Sequence, residues 1–171
     1  MALTQIIGEG ISGVTVGNFI TTIDQWRLTA DTTAGVNADI TANLERVDTA
    51  GQGFIGTGMT ESSGIFSFPS TGIYMVMCHV AMSVNADNSA TIDTYVTLDN
   101  SSYTNLATAI DGNRDTTNTF ASGSSIIFVD VTNISNVKIK FVTTSMAASS
   151  NAQGHTTLNL TYFTFVRMGD T

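Results

Sequence analysis

The segment from residue 64 to residue 84 reads Gly64-Ile-Phe-Ser-Phe-Pro-Ser-Thr-Gly-Ile-Tyr-Met-Val-Met-Cys-His-Val-Ala-Met-Ser-Val84, and its second half is one long strand-forming run. Successive side chains on a strand point to opposite faces. One face of residues 73–84 therefore carries an unbroken apolar series: Tyr74, Val76, Cys78, Val80, Met82 and Val84. The opposite face carries Ile73, Met75, Met77 and Ala81, with His79 among them. The segment predicts a strand that is buried on both sides.

A second segment, near the end of the sequence, shows the same surplus of apolar side chains. In residues 157–168, Phe163 and Phe165 lie on one face, and the other face carries Leu160, Tyr162, Val166 and Met168. An antiparallel sandwich normally buries one face of each sheet and leaves the other in water, so two strands have one apolar face too many. Self-association is the simplest explanation of this surplus. We therefore predict an interface formed by Met75, Met77, His79, Tyr162, Val166 and Met168.

The rest of the sequence predicts an all-β sandwich. Runs of strand-forming residues alternate with clusters of Gly, Asn, Asp and Ser, at the spacing of a two-sheet fold, and no helix is required. The predicted strands are residues 25–29, 44–47, 54–59, 65–68, 73–84, 91–98, 103–110, 117–120, 125–131, 137–144 and 157–168. The predicted turns are residues 87–88, 99–100, 111–113 and 149–154.

Length and charge limit the domain count and the kinds of partner. The chain has 171 residues, 6 of them basic and 14 acidic, and a net charge of −8. This length suits one domain. The charge opposes binding to phosphate backbones and anionic lipid surfaces, so neither nucleic acid nor membrane is expected as a partner. No basic leader and no apolar run of membrane-spanning length is present, so we expect no signal peptide and no membrane anchor.

Residues 1–20 differ from the remainder and predict an extended N-terminal arm. Short β-branched pieces stand between glycines, without the continuous alternation that would join them to a sheet. Such an arm suits attachment to a neighbouring protein. We therefore divide the chain into an attachment arm, residues 1–20, and a single domain, residues 21–171. The apolar residues that would make the attachment are Ile6, Ile7, Val14, Val16, Phe19 and Ile20.

The motif Gly64-x-Phe66-x-x-Pro69-x-x-Gly72-x-Tyr74 resembles the strand-turn-strand of the tumour-necrosis-factor and complement globular-head superfamily in both spacing and residue type. The last strand is also similar, although Thr164 stands where that family has a glycine. The resemblance implies a ten-stranded antiparallel jelly roll over residues 24–168. It also implies a tight homotrimer in which the odd-numbered face of residues 73–84 is turned to the threefold axis.

No catalytic group emerges from the histidines and the cysteine. Cys78 and His79 are adjacent, but they point to opposite faces of one strand and cannot form a thiol–base pair. We interpret Cys78 as a small buried apolar residue. His79 is interpreted as a hydrogen-bonded interface residue, with a pH-sensitive contact between its copies as the alternative. His155 has no second histidine near it in sequence, so no metal or triad role is expected.

Two ligand-binding motifs are incomplete. Residues 8–13 spell the Gly-x-Gly-x-x-Gly dinucleotide fingerprint, but a β-branched run follows where a helix is required. A partial calcium loop lies further on, yet Thr116 and Ser122 stand where it needs glycine and glutamate. A solvated turn is the preferred interpretation of that loop and calcium the alternative; its candidate ligands are Asp111, Asn113 and Asp115. No cofactor is expected.

We therefore expect a non-enzymatic structural protein of a virion, namely a homotrimeric capsid decoration (cement) protein of a tailed bacteriophage. Such a protein assembles in the host cytoplasm without a leader, and its arm would contact the major capsid protein or another virion protein. The alternative is the receptor- or glycan-binding head of a phage tail fibre, since fold alone does not fix function. The loop cluster suited to that role is Tyr103 with Asn100 and Asn105.

Overall fold

The structure is a computed structural model that describes residues 20–113, 117, 119–147 and 149–171. These described residues form eleven β-strands and no helix. The strands in chain order are β1 (Ile23–Leu28), β2 (Leu44–Arg46), β3 (Thr60–Ser62), β4 (Ile65–Ser67), β5 (Gly72–Val84), β6 (Asp87–Thr97), β7 (Tyr103–Asn113), β8 (Thr119–Val131), β9 (Lys138–Thr144), β10 (Asn151–Ala152) and β11 (Tyr162–Gly169).

The strands form two antiparallel sheets packed face to face. In the first sheet the order is β8, β5, β11, β1, β2, and the short β10 pairs with the end of β5 beyond β11. In the second sheet the order is β3, β4, β9, β6, β7. The chain crosses between the sheets after β2, β4, β5, β7, β8 and β9. This is a jelly-roll sandwich, as the sequence predicts, with ten longer strands and the two-residue β10 as the eleventh among the described residues.

The core lies between the sheets and is centred on Phe66 in β4, which is 0% exposed. Its ring centroid lies 5.3 Å from that of Phe165 and 5.8 Å from that of Phe141. Phe141 in turn stacks on Phe163 at 3.8 Å, so strands of both sheets meet in one aromatic cluster. The even-numbered residues of β5 are all buried, and the predicted core face of that strand is confirmed.

The glycine motif has the structural role that its residue types indicate. Gly64 has φ +82°, and a Cβ there would lie 2.2 Å from the carbonyl oxygen of Ile40. Its backbone N–H donates to Glu61 Oε1 at 2.6 Å, which fixes the turn between β3 and β4. Pro69 follows the end of β4, and Gly72 begins β5 with φ +135°. Only glycine adopts these positive φ values without strain.

The prediction of two strands at residues 117–120 and 125–131 was wrong. Residues 119–120 and 125–131 belong to the single strand β8, which pairs with β5 from Val84 at one end to Gly72 at the other. The residues between them are small and polar, which disfavours a strand. Pairing along the whole of β5 overrides that local preference.

Three predicted turns also proved to be elsewhere. Residues 87–88 belong to β6, and the chain reverses instead at Asn85 and Ala86, where Ala86 has φ +50°. Residues 111–113 form the end of β7, and residues 149–154 contain β10. The Asp87 carboxylate accepts hydrogen bonds from the backbone N–H of Ser89, two residues on, and from that of Ala147, so it ties the start of β6 to residue 147.

One predicted strand is absent and another is shorter than expected. Residues 54–59 form no named strand, although Ile55 makes an isolated bridge to Ile23. Residues 157–161 run alongside the first sheet, and β11 begins only at Tyr162. Thr161 lies between β1 and β5, where its carbonyl accepts from the N–H of Leu28 and its hydroxyl bonds to the backbone of Ala81 in place of a strand pairing.

Candidate self-association surface

The register of the first sheet assembles one surface from three strands. Residues directly opposite each other in an antiparallel pair share a face. Met75 on β5 lies opposite Phe128 on β8 and Val166 on β11. Met77, the next residue on the same side of β5, lies between Ile126 on β8 and Thr164 on β11. We call this side of the sheet, which points away from the core, the outer face.

The outer face contains the predicted interface residues and exposes large apolar side chains. Met75, Met77, His79 and Tyr162 are half-buried, and Val166 is buried by its neighbours. Met168 is exposed next to Gly169, which pairs with Ile73. The structure therefore places all six predicted residues on or beside this face. Whether they form an interface stays a prediction.

Two prominent members of this surface were missing from the sequence-based prediction. Phe128 is 65% exposed and Ile126 is 55% exposed, both on the outer side of β8. The signal was present, because Ile127, Val129 and Val131 alternate with them and point to the core. Assigning Ile126 and Phe128 to the same surface as Met75 requires the pairing of β8 with β5, which the sequence does not state.

Most of the outer face is apolar towards the start of β5 and polar towards its end, although Phe120, which is 78% exposed, lies opposite Ser83 at the polar end. Towards the start of β5, Met75 and its neighbours form a continuous apolar patch that extends to Ile23 on β1. Towards the end of β5, Ala81 lies opposite Ser122. His79 stands at the boundary between these halves, opposite Ser124 and Tyr162.

His79 is held in place by two neighbours. Its Nδ1 lies 2.9 Å from Ser124 Oγ, and its ring lies 4.8 Å from that of Tyr162. Partial burial lowers the pKa of the His79 imidazole below its ordinary value. The neutral side chain is therefore favoured in the folded chain, which suits a surface that becomes buried on assembly.

A polar strip borders the apolar patch on the β1 side. Gln25 Nε2 donates to Thr164 Oγ1 at 2.8 Å, and Asn159 Nδ2 donates to Gln25 Oε1 at 2.6 Å. Beyond them Arg27 is almost fully buried and pairs with Glu45 at 3.1 Å. These side chains bond to one another and mark where the apolar surface ends, although Arg27 Nε and Asn159 Oδ1 are buried without a hydrogen-bond partner among the described residues.

A second exposed apolar surface lies along the edge of the other sheet. Leu106 and Ile110 on β7 are exposed, as is Leu98 just after β6, and a cavity of about 430 Å³ lies between Leu98 and Leu106. The backbones of β7 and β8 meet closely at one point, because a Cβ on Gly123 would lie 2.7 Å from the carbonyl oxygen of Ile110. We call this surface the β7 edge.

The candidate catalytic residues do not come together. Cys78 is buried, and desolvation raises the pKa of its thiol far above the ordinary value, so the reactive thiolate does not form. Its side chain points to the core, whereas His79 points to the outer face. His155 Nδ1 accepts hydrogen bonds from the backbone N–H groups of Thr157 and Leu158, which makes it a turn cap.

The calcium candidates are only partly within the described residues. Asp111 accepts hydrogen bonds from the backbone N–H groups of Gly112 at 2.6 Å and Ser122 at 3.1 Å, so its carboxylate ties β7 to β8. Asp115 and the side chain of Asn113 lie outside the described residues. Within the described ranges, no group of three or more His, Cys, Asp or Glu is placed to hold a metal ion.

The loop cluster suggested for glycan binding is largely engaged in local contacts. Lys140 Nζ lies 4.7 Å from the ring centroid of Tyr103, and Asn105 Oδ1 accepts a hydrogen bond from the N–H of Ala107. Asn100 has φ +60° and shapes the turn after β6. Asn100 and Asn105 are exposed and Tyr103 is half-buried, and their role in glycan binding stays a prediction.

The N-terminal attachment residues are mostly beyond the described part of the chain. Ile20 is described and exposed. The boundary between arm and domain stays a prediction; the remaining attachment candidates, Ile6, Ile7, Val14, Val16 and Phe19, lie outside the described residues. No described helix is long and apolar enough to span a membrane.

Comparison with known proteins shows the fold. No protein-family model matches the sequence, and no curated protein is similar to it at a significant level. Among solved structures, murine APRIL at pH 8.0 is 13% identical, with a TM-score of 0.60 over 86% of this chain and 98% of that one. The Eiger TNF of S. frugiperda is 10% identical, with a TM-score of 0.64 over 87% of this chain and 93% of that one. The globular domain of zebrafish complement 1qA is 15% identical, with a TM-score of 0.50 over 88% of this chain and 99% of that one.

These likenesses confirm the structural class that the glycine motif indicated. The chain has the jelly-roll fold shared by the tumour-necrosis-factor family and the complement globular heads. At such low identities the likeness concerns the fold, and function has to be argued from this chain's own surfaces.

Proposed function

We propose that this chain is a non-enzymatic structural protein that assembles as a homotrimer and decorates the capsid of a tailed bacteriophage. The observation that carries the proposal is the exposed apolar patch on the outer face. A phenylalanine side chain offers on the order of 200 Å². Phe128, Ile126 and Met168 together therefore expose on the order of 300 Å², before the half-buried methionines are counted, and patches of this size are often interaction sites.

The existence of two different apolar surfaces supports a ring rather than a twofold dimer. A dimer presses one surface against its own copy, whereas a ring of three or more copies joins two different surfaces. The outer face and the β7 edge provide such a pair, and they adjoin each other where β7 meets β8. We propose that the outer face of one copy packs against the β7 edge of the next until three copies close the ring.

The virion setting is supported by what the chain offers besides this surface. The described residues contain no grouping of catalytic side chains, which favours a structural role. Six basic residues in 171 leave few sites for trypsin-like proteases, which is an advantage for an external virion protein. The glycine-interrupted residues 1–20 suit addition as short edge strands to a capsid protein, where backbone hydrogen bonds provide affinity.

Sedimentation or light scattering tests the assembly. We expect a particle of about three times 18.0 kDa. Met77→Asp should dissociate it, because an uncompensated carboxylate would be desolvated in each copy. Val36→Asp is the matched control, since Val36 is exposed in the loop between β1 and β2, outside the strands of the outer face and of the β7 edge. A stable monomer at micromolar concentration, or a Met77→Asp trimer, contradicts the proposal.

Particle binding tests the decoration role separately. Removing residues 1–20 should leave the particle mass and the melting temperature nearly unchanged and abolish binding to capsids stripped of the protein. Immunogold labelling should place the protein on the heads of virions rather than on the tails. Full occupancy by the truncated protein would show that the arm is not the anchor, and tail labelling would favour the fibre-head alternative.

A further inference from the structure

A groove on the opposite edge of the sandwich has the composition of a ligand site. It holds about 470 Å³ and lies where β2 and β3 leave the two sheets open. Two aromatic side chains line it, the half-buried Trp26 and Phe54, which is 54% exposed. Arg46 and Glu61 provide its charged groups. We call it the edge groove.

Arg46 forms the middle of a stacked layer. Its guanidinium carbon lies 5.0 Å from the ring centroid of Trp26 and 5.2 Å from that of Phe54. The Nε and Nη2 groups donate to the carboxylate of Asp24 at 2.8 and 3.2 Å, and Nη2 also donates to the carbonyl of Met59 at 2.6 Å. Within the described residues Nη1 has no hydrogen-bond partner, so a fixed cation retains donors for a ligand.

Asp24 makes this arrangement rigid. It is 0% exposed and also accepts hydrogen bonds from Trp26 Nε1 at 2.9 Å and from the backbone N–H of Met59 at 2.7 Å. A Cβ on Gly58 would lie 2.5 Å from Asp24 Oδ2 and 2.7 Å from Arg46 Nη2. The groove wall is therefore close-packed around the carboxylate, and its polar groups are held before any ligand arrives.

The ion pair between Asp24 and Arg46 is sufficient to stabilise this edge of the sandwich, so stability alone does not explain the positions of Phe54 and Glu61. Phe54 nevertheless keeps more than half of its surface in solvent beside the guanidinium. Glu61 uses Oε1 to accept from Gly64, and Oε2 makes no hydrogen bond with the described residues. An exposed ring, spare N–H donors and a spare carboxylate oxygen thus converge on one groove.

We propose that the edge groove binds a neutral saccharide. A sugar ring combines an apolar C–H face, which suits Phe54, with hydroxyl groups that accept from Arg46 Nη1 and donate to Glu61. The charges select against acidic sugars, because Asp24 neutralises Arg46 and Glu61 leaves a net negative charge in a chain whose total is −8. This site is distinct from the outer face and does not depend on the proposed assembly.

Fluorescence titration provides a direct test, because Trp26 is the single tryptophan of the chain. The probes are the methyl glycosides of glucose, galactose and mannose, N-acetylglucosamine, and N-acetylneuraminic acid as the acidic comparison. At least one neutral probe should change the emission saturably at millimolar concentration. No saturable change with any neutral probe, or tighter binding of the acidic sugar, overturns the proposal.

Substitutions locate the binding. Phe54→Ala should weaken binding of the best neutral probe at least tenfold. The control Phe120→Ala removes a 78% exposed phenylalanine from β8 and should leave that affinity unchanged. Glu61→Gln removes the charge but keeps the side-chain length, and it should weaken binding severalfold with an unchanged melting temperature. Wild-type affinity in both Phe54→Ala and Glu61→Gln would place the sugar elsewhere and refute the site.

Discussion

Phe128→Ala tests the outer face quantitatively. Phe128 is 65% exposed, so an assembly that covers it buries on the order of 130 Å² of apolar surface per copy. At about 25 cal/mol per Å² this contributes about 3 kcal/mol, of which alanine retains about a third. The loss is about 2 kcal/mol per copy and about 6 kcal/mol for three copies. Since about 1.4 kcal/mol is a factor of ten, the trimer association constant should fall about 10⁴-fold.

Sedimentation equilibrium over a range of concentrations measures this change. The midpoint concentration of a monomer–trimer equilibrium varies inversely with the square root of the association constant, so it should rise about 100-fold. The ordering costs of association are common to both proteins and largely cancel. Val36→Ala is the control and should leave the midpoint in place. A rise below about threefold for Phe128→Ala would mean that Phe128 stays in solvent, and the reasoning from the outer face would fail.

Three further outcomes follow from groups inside the domain. Asp24→Asn should lower the free energy of unfolding by about 3 kcal/mol in urea titrations, because the buried partner of Arg46 loses its charge; a change below about 1 kcal/mol would contradict this. Cys78 should resist iodoacetamide in the native protein and react once the chain is unfolded, whereas rapid native labelling would show that the core opens. Burial lowers the folded-state pKa of His79 below 6.5, so the unfolded chain takes up the proton first and stability should fall as the pH drops through about 6.5. Thermal unfolding between about pH 5 and pH 8 measures this, and His79→Gln should remove that part of the pH dependence.

The long central strand β5 could be predicted because its two alternating sets of side chains match the two sides of the strand. Alternation over residues 73–84 identifies the core side from Tyr74 to Val84, and the structure buries every one of those positions. The same alternation identifies the surplus face with Met75 and Met77. Here a local pattern and a tertiary outcome coincide, because a strand in the middle of a sheet has neighbours along both edges.

The strand β8 could not be predicted as one element for a tertiary reason. Residues 121–124 are Ala-Ser-Gly-Ser, which favours a loop when taken alone. The structure needs small residues there, because Gly123 lies against the backbone of Ile110. A residue type that signals a break in the sequence is thus the one that allows β7 and β8 to approach each other.

The edge groove was not predicted because its members are brought together only by the fold. Trp26 and Arg46 belong to separate strands that pair directly, and Phe54 lies in the irregular stretch that follows. None of the three belongs to a spaced motif. The sequence did contain one signal. Asp24 and Trp26, the single tryptophan of the chain, are two residues apart on one strand and therefore lie on the same face.

The β7 edge and the edge groove lie on opposite edges of the sandwich, and this arrangement has a consequence for binding strength. β7 and β8 end the two sheets on one side, while β2 and β3 end them on the other. An assembly that closes through the outer face and the β7 edge therefore leaves the edge groove accessible on every copy. In the proposed trimer, and in the proposed array of trimers on one capsid, the grooves would together raise the effective concentration for a surface that displays repeated sugars. Millimolar affinity at a single groove is then sufficient for attachment to such a surface, and a capsid decorated with Phe54→Ala protein should lose that attachment while its decoration remains complete.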